Sequence, residues 1–98
     1  MSDRIQSIKV EDLEEKVRES TNKAEMVHIS SNKSGISTEQ TTNKFFFTVD
    51  DEQIEIITNN TDYMVNLEEI KDFYIMDQSI IFRFNQYEKM KITPLKNS

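Results

Sequence analysis

Apolar residues recur near the start of the chain at Val10, Leu13, Val17 and Ala24, with Glu and Lys between them. That spacing puts one apolar stripe on a helical surface and predicts an amphipathic helix over residues 10–22. Glu11, Asp12, Glu14 and Glu15 precede Lys16, Arg18 and Lys23, the order of charge that complements the helix dipole. The weak helix formers Ser20, Thr21 and Asn22 end it, and the β-branched pair in Met26-Val27-His28-Ile29 favours a first strand there. Residues 30–43 are polar, contain the sole glycine and read as a mobile loop.

From residue 44 onward the apolar period falls to two, and short runs alternate with Asp and Asn clusters at roughly ten-residue spacing. Strands are predicted over residues 44–50, 53–58, 63–67, 73–76, 79–84 and 88–93, a β-meander spanning 44–93. Asp50-Asp51, Asn59-Asn60, Asp77-Gln78 and Asn85-Gln86 supply the turns, because short Asn and Asp side chains bond the nearby backbone and tolerate left-handed conformations. Glu68-Glu69-Ile70-Lys71 reads as one helical turn between strands. Alternation places Phe45, Phe47, Val49, Ile54, Ile56, Tyr63, Val65, Leu67, Phe73, Ile75, Ile80, Phe82, Phe84, Met90 and Ile92 on the core side. The opposite side receives Phe46, Ile57, Met64, Tyr74, Met76 and Ile81 beside Glu55, Asn66, Arg83, Lys89 and Lys91. Its apolar members need a cover, first of all the helix, and otherwise a second copy of the chain or another partner. The expected fold is therefore α+β: one domain over residues 1–98, an N-terminal amphipathic helix packed on a curved antiparallel β-sheet or small barrel of five to six strands in meander order.

Composition narrows the chemistry. Ninety-eight residues with 36% hydrophobic content, twelve Ile and six Phe support one core rather than an acidic disordered tail. With no Cys and one His, thiol catalysis, disulfide frameworks and zinc clusters are excluded. His28 between Val27 and Ile29 reads as an ordinary strand histidine, and Ser30 and Ser31 stand too close to it along one strand to form a Ser-His pair. A single glycine cannot build a phosphate-cradling loop, and Asp50-Asp51-Glu52 lacks the alternating ligands and turn glycine of a calcium loop. No cofactor, metal or catalytic residue is expected. The opening Met-Ser-Asp-Arg-Ile-Gln-Ser has no secretory character, the Asn32 and Asn59 glycosylation matches then read as chance, and no apolar run approaches a membrane span. A cytoplasmic location is expected.

Charge is the feature above background. The chain carries −6 overall, yet between Asp50 and Asp77 nine carboxylates face the single Lys71, a net of −8. From residue 83 onward Arg83, Lys89, Lys91 and Lys96 against Glu88 leave +3. Acidic turns keep a small domain soluble and discourage edge association. They also attract basic surfaces and repel nucleic-acid phosphates, which argues against direct nucleic-acid binding. In size and charge the chain is similar to small acidic inhibitors from phages and mobile elements, which engage basic nucleic-acid-binding surfaces, and its Lys-, Ile- and Asn-rich usage suits such an origin. The function expected is a non-enzymatic protein-binding regulator or inhibitor whose partner-binding acids are Asp50, Asp51, Glu52, Glu55, Asp62, Glu68, Glu69 and Asp72. The alternative is a self-associating structural or assembly subunit, a homodimer in the simplest case, using Phe46, Ile57, Met64, Tyr74 and Ile81.

Overall fold

The computed structural model describes residues 5–95. Both ends of the predicted 1–98 unit, Lys96 among them, lie outside the described residues. The elements in chain order are β1 (Ile5–Ser7), α1 (Val10–Thr21), β2 (Met26–Lys33), β3 (Ile36–Thr42), β4 (Phe45–Val49), β5 (Gln53–Thr58), β6 (Tyr63–Asn66), a 3₁₀ turn (Leu67–Glu69), β7 (Asp72–Met76), β8 (Ser79–Arg83) and β9 (Lys89–Leu95). The class is α+β with antiparallel pairing, but the strands form two sheets and neither closes. Six strands lie in the order β1-β7-β8-β9-β2-β3, and three in the order β4-β5-β6. The single sheet or barrel of five to six strands is thereby corrected.

The main correction concerns residues 30–43. Rather than a mobile loop, they complete β2 and form all of β3, a hairpin paired from Val27↔Thr42 to Lys33↔Ile36. Its two-residue turn has Ser34 at φ 56° and Gly35 at φ 79°, the backbone of a type I′ turn, whose twist matches that of the flanking strands. Gly35 takes that φ without steric cost. The polar sequence resembles a loop because β3 is an edge strand with mostly exposed side chains, so its pairing relies on backbone bonds and leaves no apolar alternation.

The alternation from residue 44 onward holds. Every residue assigned to the core side is buried or half-buried, and Ile54, Ile56, Ile80, Phe82 and Ile92 are fully enclosed. The inner faces of the two sheets meet there: the Phe82 ring (β8) lies 6.1 Å from Phe47 (β4) and, edge-on, 5.6 Å from Phe73 (β7). Helix α1 inserts Leu13 and Val17, both fully buried, into this same core and lies against β4. It fills the side of the sandwich and does not cover the exposed apolar residues of the small sheet. Pro94 lies in β9 beyond the last β8 partner, where a missing N–H costs no ladder bond on that side.

Candidate interaction surface

The outer face of the β4-β5-β6 sheet is built by the odd-even rule that built the core. Phe45, Phe47 and Val49 turn inward, so Phe46 turns outward and pairs across the ladder with Ile57. Met64 stands beside Glu55 on the same face. Phe46 is 59% exposed, Met64 61% and Ile57 38%. Three large apolar side chains on one small face exceed the scattered exposure that needs no explanation.

Tyr74 and Ile81, predicted with these three, belong to the other sheet. They are paired neighbours on its outer face, and Ile81 is fully buried between the half-buried Tyr74 and Lys91. The five-residue self-association set is therefore split between opposite sides of the sandwich, and Ile81 offers no surface. A strand order that interposes a second sheet separates residues that an alternating pattern alone places together.

The acids divide by role. Asp50 Oδ1 accepts the backbone N–H groups of Glu52 and Gln53 at 2.8 and 2.9 Å, closing the β4–β5 turn, and those bonds hold its carboxyl below the usual carboxylate range. Glu69 accepts Lys33 Nζ at 2.7 Å, and that hydrogen bond likewise lowers its pKa. Asp72 takes a two-pronged contact from Arg83, Nε at 3.1 Å and Nη2 at 2.6 Å. These three are turn-closing or pairing groups. Asp51, Glu52, Glu55, Asp62 and Glu68 make no side-chain ion pair among the described residues and are exposed or half-exposed.

The backbone bond from Leu67 N–H to Glu52 O, 2.8 Å, draws the 3₁₀ turn against the β4–β5 turn, so that Asp51, Glu52 and Glu68 line one shallow cleft. An adjoining cleft adds Glu11 and Glu14 of α1 to Asp50 and Asp51. Those helix acids were not assigned to the surface from the sequence. Their only signal was their place at the helix start, and the docking of α1 beside β4 brings them there. Acidity thus concentrates at one end of the sandwich, while Arg83 and Lys89 are cross-strand neighbours on the outer face of the large sheet with Lys91 nearby.

His28 sits half-buried on that second face, its Nε2 3.0 Å from Glu39 and its Nδ1 2.9 Å from Thr41 Oγ1. A carboxylate only accepts, so Nε2 carries a hydrogen. No cluster of three or more metal-ligating side chains occurs among the described residues, and none of their helices is long and apolar enough to cross a membrane.

The Asp72–Arg83 pair gives a pH test. Arg83 lowers the Asp72 pKa, chiefly by hydrogen bonding. The pair therefore contributes fully above the unfolded carboxyl pKa of about 3.9, and its contribution disappears as pH falls through the lower folded value. Because both side chains are more than a third exposed, solvent screening keeps this contribution small. Thermal midpoints measured from about pH 5 to about pH 2 should fall more steeply for the unaltered chain than for Asp72→Asn. Parallel profiles would show that the pair contributes nothing.

The chain matches no protein-family model, no curated protein and no solved structure.

Proposed function

We propose that this chain is a small non-enzymatic protein-binding domain that regulates or inhibits a partner through the outer face of its three-stranded sheet. Phe46, Ile57 and Met64 form the contact centre, and Glu55, Asp62, Asp51, Glu52 and Glu68 form an acidic rim selecting a partner with a basic surface. The observation that carries this reading is the exposure of those three apolar side chains on one face bordered by carboxylates without ion-pair partners among the described residues. An apolar centre supplies affinity through desolvation, while rim charges act on encounter rate and salt dependence. Asp50, Glu69 and Asp72 contribute to the field but are committed to internal contacts.

The test is affinity capture at low and high salt with two variants. Asp51→Asn/Glu52→Gln/Glu55→Gln/Glu68→Gln should reduce capture at low salt and flatten its salt dependence. Phe46→Ser/Met64→Ser should abolish capture at both salt concentrations. Unchanged low-salt capture by both variants removes the proposal.

Self-association through the same face is the second reading, favoured by the same exposed trio. Light scattering decides it: a monomer at high micromolar concentration eliminates it, and a dimer abolished by Phe46→Ser establishes it.

A further inference from the structure

On the opposite side of the sandwich, the β2–β3 hairpin and β9 form a cleft of about 310 Å³ bordered by Tyr87, at the low end of small-ligand sites, which span roughly 300–1,000 Å³. Its lining includes the side chains of Ser30, Asn32 and Ser37, which stand on the same face as Lys89, whereas Ser31, opposite the core residue Met90, and Thr38 turn to the other face and offer only backbone. None of the three lining side chains hydrogen-bonds to another described residue. Neighbouring polar side chains of the same strands behave differently: Thr41 is bound to His28, Gln40 to Tyr63 and Thr42 to Lys44. The cleft thus gathers hydroxyl and amide groups whose bonding capacity is left to solvent. Lys89 adds an ammonium without an ion pair among the described residues, and Glu39 adds a carboxylate at the other edge.

Tyr87 supplies the remaining component. It is 80% exposed, yet its backbone is held tightly. Asn85 Oδ1 accepts the Tyr87 and Glu88 N–H groups at 2.8 and 3.0 Å, Asn85 Nδ2 donates to Glu88 Oε1 at 2.9 Å, and Gly35 N–H donates to Glu88 Oε2 at 3.1 Å. The last bond ties the Tyr87 turn to the tip of the hairpin that forms the cleft floor. An exposed aromatic ring on a braced turn is a preorganised platform, with little backbone ordering left to occur on binding.

We infer that this cleft binds a saccharide, with a pyranose ring resting on Tyr87 and its hydroxyls bonded to the side chains of Ser30, Asn32 and Ser37. A pyranose has an apolar C–H face suited to an aromatic ring and a rim of hydroxyls that both donate and accept, matching a lining that does the same. Such hydroxyls reproduce the bonds of the water they displace. The charges disfavour the other stacking ligand, a nucleotide: only Lys89 of the lining is cationic, Glu39 opposes it, and the chain carries −6. The cleft is separate from the partner surface and does not depend on it.

The test is an amide-resolved NMR titration of the full chain with glucose, galactose, mannose, N-acetylglucosamine, glucuronate and disaccharides of each, at millimolar concentrations. At least one probe should give saturable shifts confined to the amides of residues 30–32, 37–39 and 87–89. Tyr87→Ala should weaken that binding at least about tenfold, Asn32→Ala several-fold, and Phe46→Ser not at all. Absence of shifts at those amides with every probe overturns the inference, as does undiminished affinity in both Tyr87→Ala and Asn32→Ala. Retained binding by Phe46→Ser, whatever its effect on protein capture, keeps the two surfaces distinguishable.

Discussion

Replacing Phe82 by alanine is expected to destabilise the protein by about 3–5 kcal/mol, read as a lowered urea midpoint with little change in slope. Phe82 is fully buried on β8 and is the side chain at which the inner faces of the two sheets meet, in ring contact with Phe47 from one and Phe73 from the other. Its removal leaves a cavity between layers that are each held by their own hydrogen-bond ladders, so collapse into the space is restricted. Since domains of this kind have roughly 5–15 kcal/mol in total, the loss is a large fraction of what holds the fold. Phe46→Ala is the matched comparison, the same chemical deletion on the solvent side of β4, and should cost less than about 1 kcal/mol. Equal losses at the two positions would mean that the three-stranded sheet presents its other face to the core.

The second large effect is expected at Gln40. Its side chain lies on the inner side of β3, where Nε2 donates to the Tyr63 hydroxyl at 2.9 Å and Oε1 accepts from Asn60 Nδ2 at 3.0 Å. Thr58 Oγ1 is also within 3.2 Å of Oε1, but its single hydrogen is better placed for the carbonyl of Thr61 at 2.6 Å. Gln40 thus joins the edge of the large sheet to the β5–β6 connection of the small one. Gln40→Leu removes both bonds and leaves a part-buried tyrosine hydroxyl facing an alkyl group, at a cost of about 1–3 kcal/mol. Hydrogen exchange should rise selectively across residues 58–63, where the small sheet loses its tie. Unaltered exchange there, with unaltered stability, would show that apolar contact alone holds the two sheets together.

The legible and illegible parts of this protein follow from what each element relies on. Helix α1 and strands β4, β5, β6 and β9 bury one face, so the burial requirement is written into the residues as a period, and the outward Phe46, Ile57 and Met64 are as visible as the inward Phe45 and Phe47. The β2–β3 hairpin relies on backbone pairing and two left-handed turn residues, Ser34 and Gly35. Its side chains carry no period, and its polar run resembles a loop. Glycine at the turn was the available signal, outweighed by the polarity around it.

The candidate surface shows the same division. Local sequence located the acids, since turns favour Asp and Asn. It could not separate Asp50, Glu69 and Asp72, which close turns or neutralise Lys33 and Arg83, from Asp51, Glu52 and Glu68, which face solvent together, because those partners are supplied by the fold. Nor could it join Glu11 and Glu14 to the β4–β5 turn, or assemble Tyr87 with the bare hydroxyls of β2 and β3.

The chain by itself determined the α+β class, the helix, the inward and outward faces of β4 to β9 and the acidic character of the middle segment, because these depend on periodicity and composition. Only the tertiary structure decided that there are two sheets, that Tyr74 and Ile81 lie across the sandwich from Phe46, Ile57 and Met64, and which polar side chains find partners. Those outcomes rest on contacts between residues far apart in sequence, and such contacts leave no local period from which to read them.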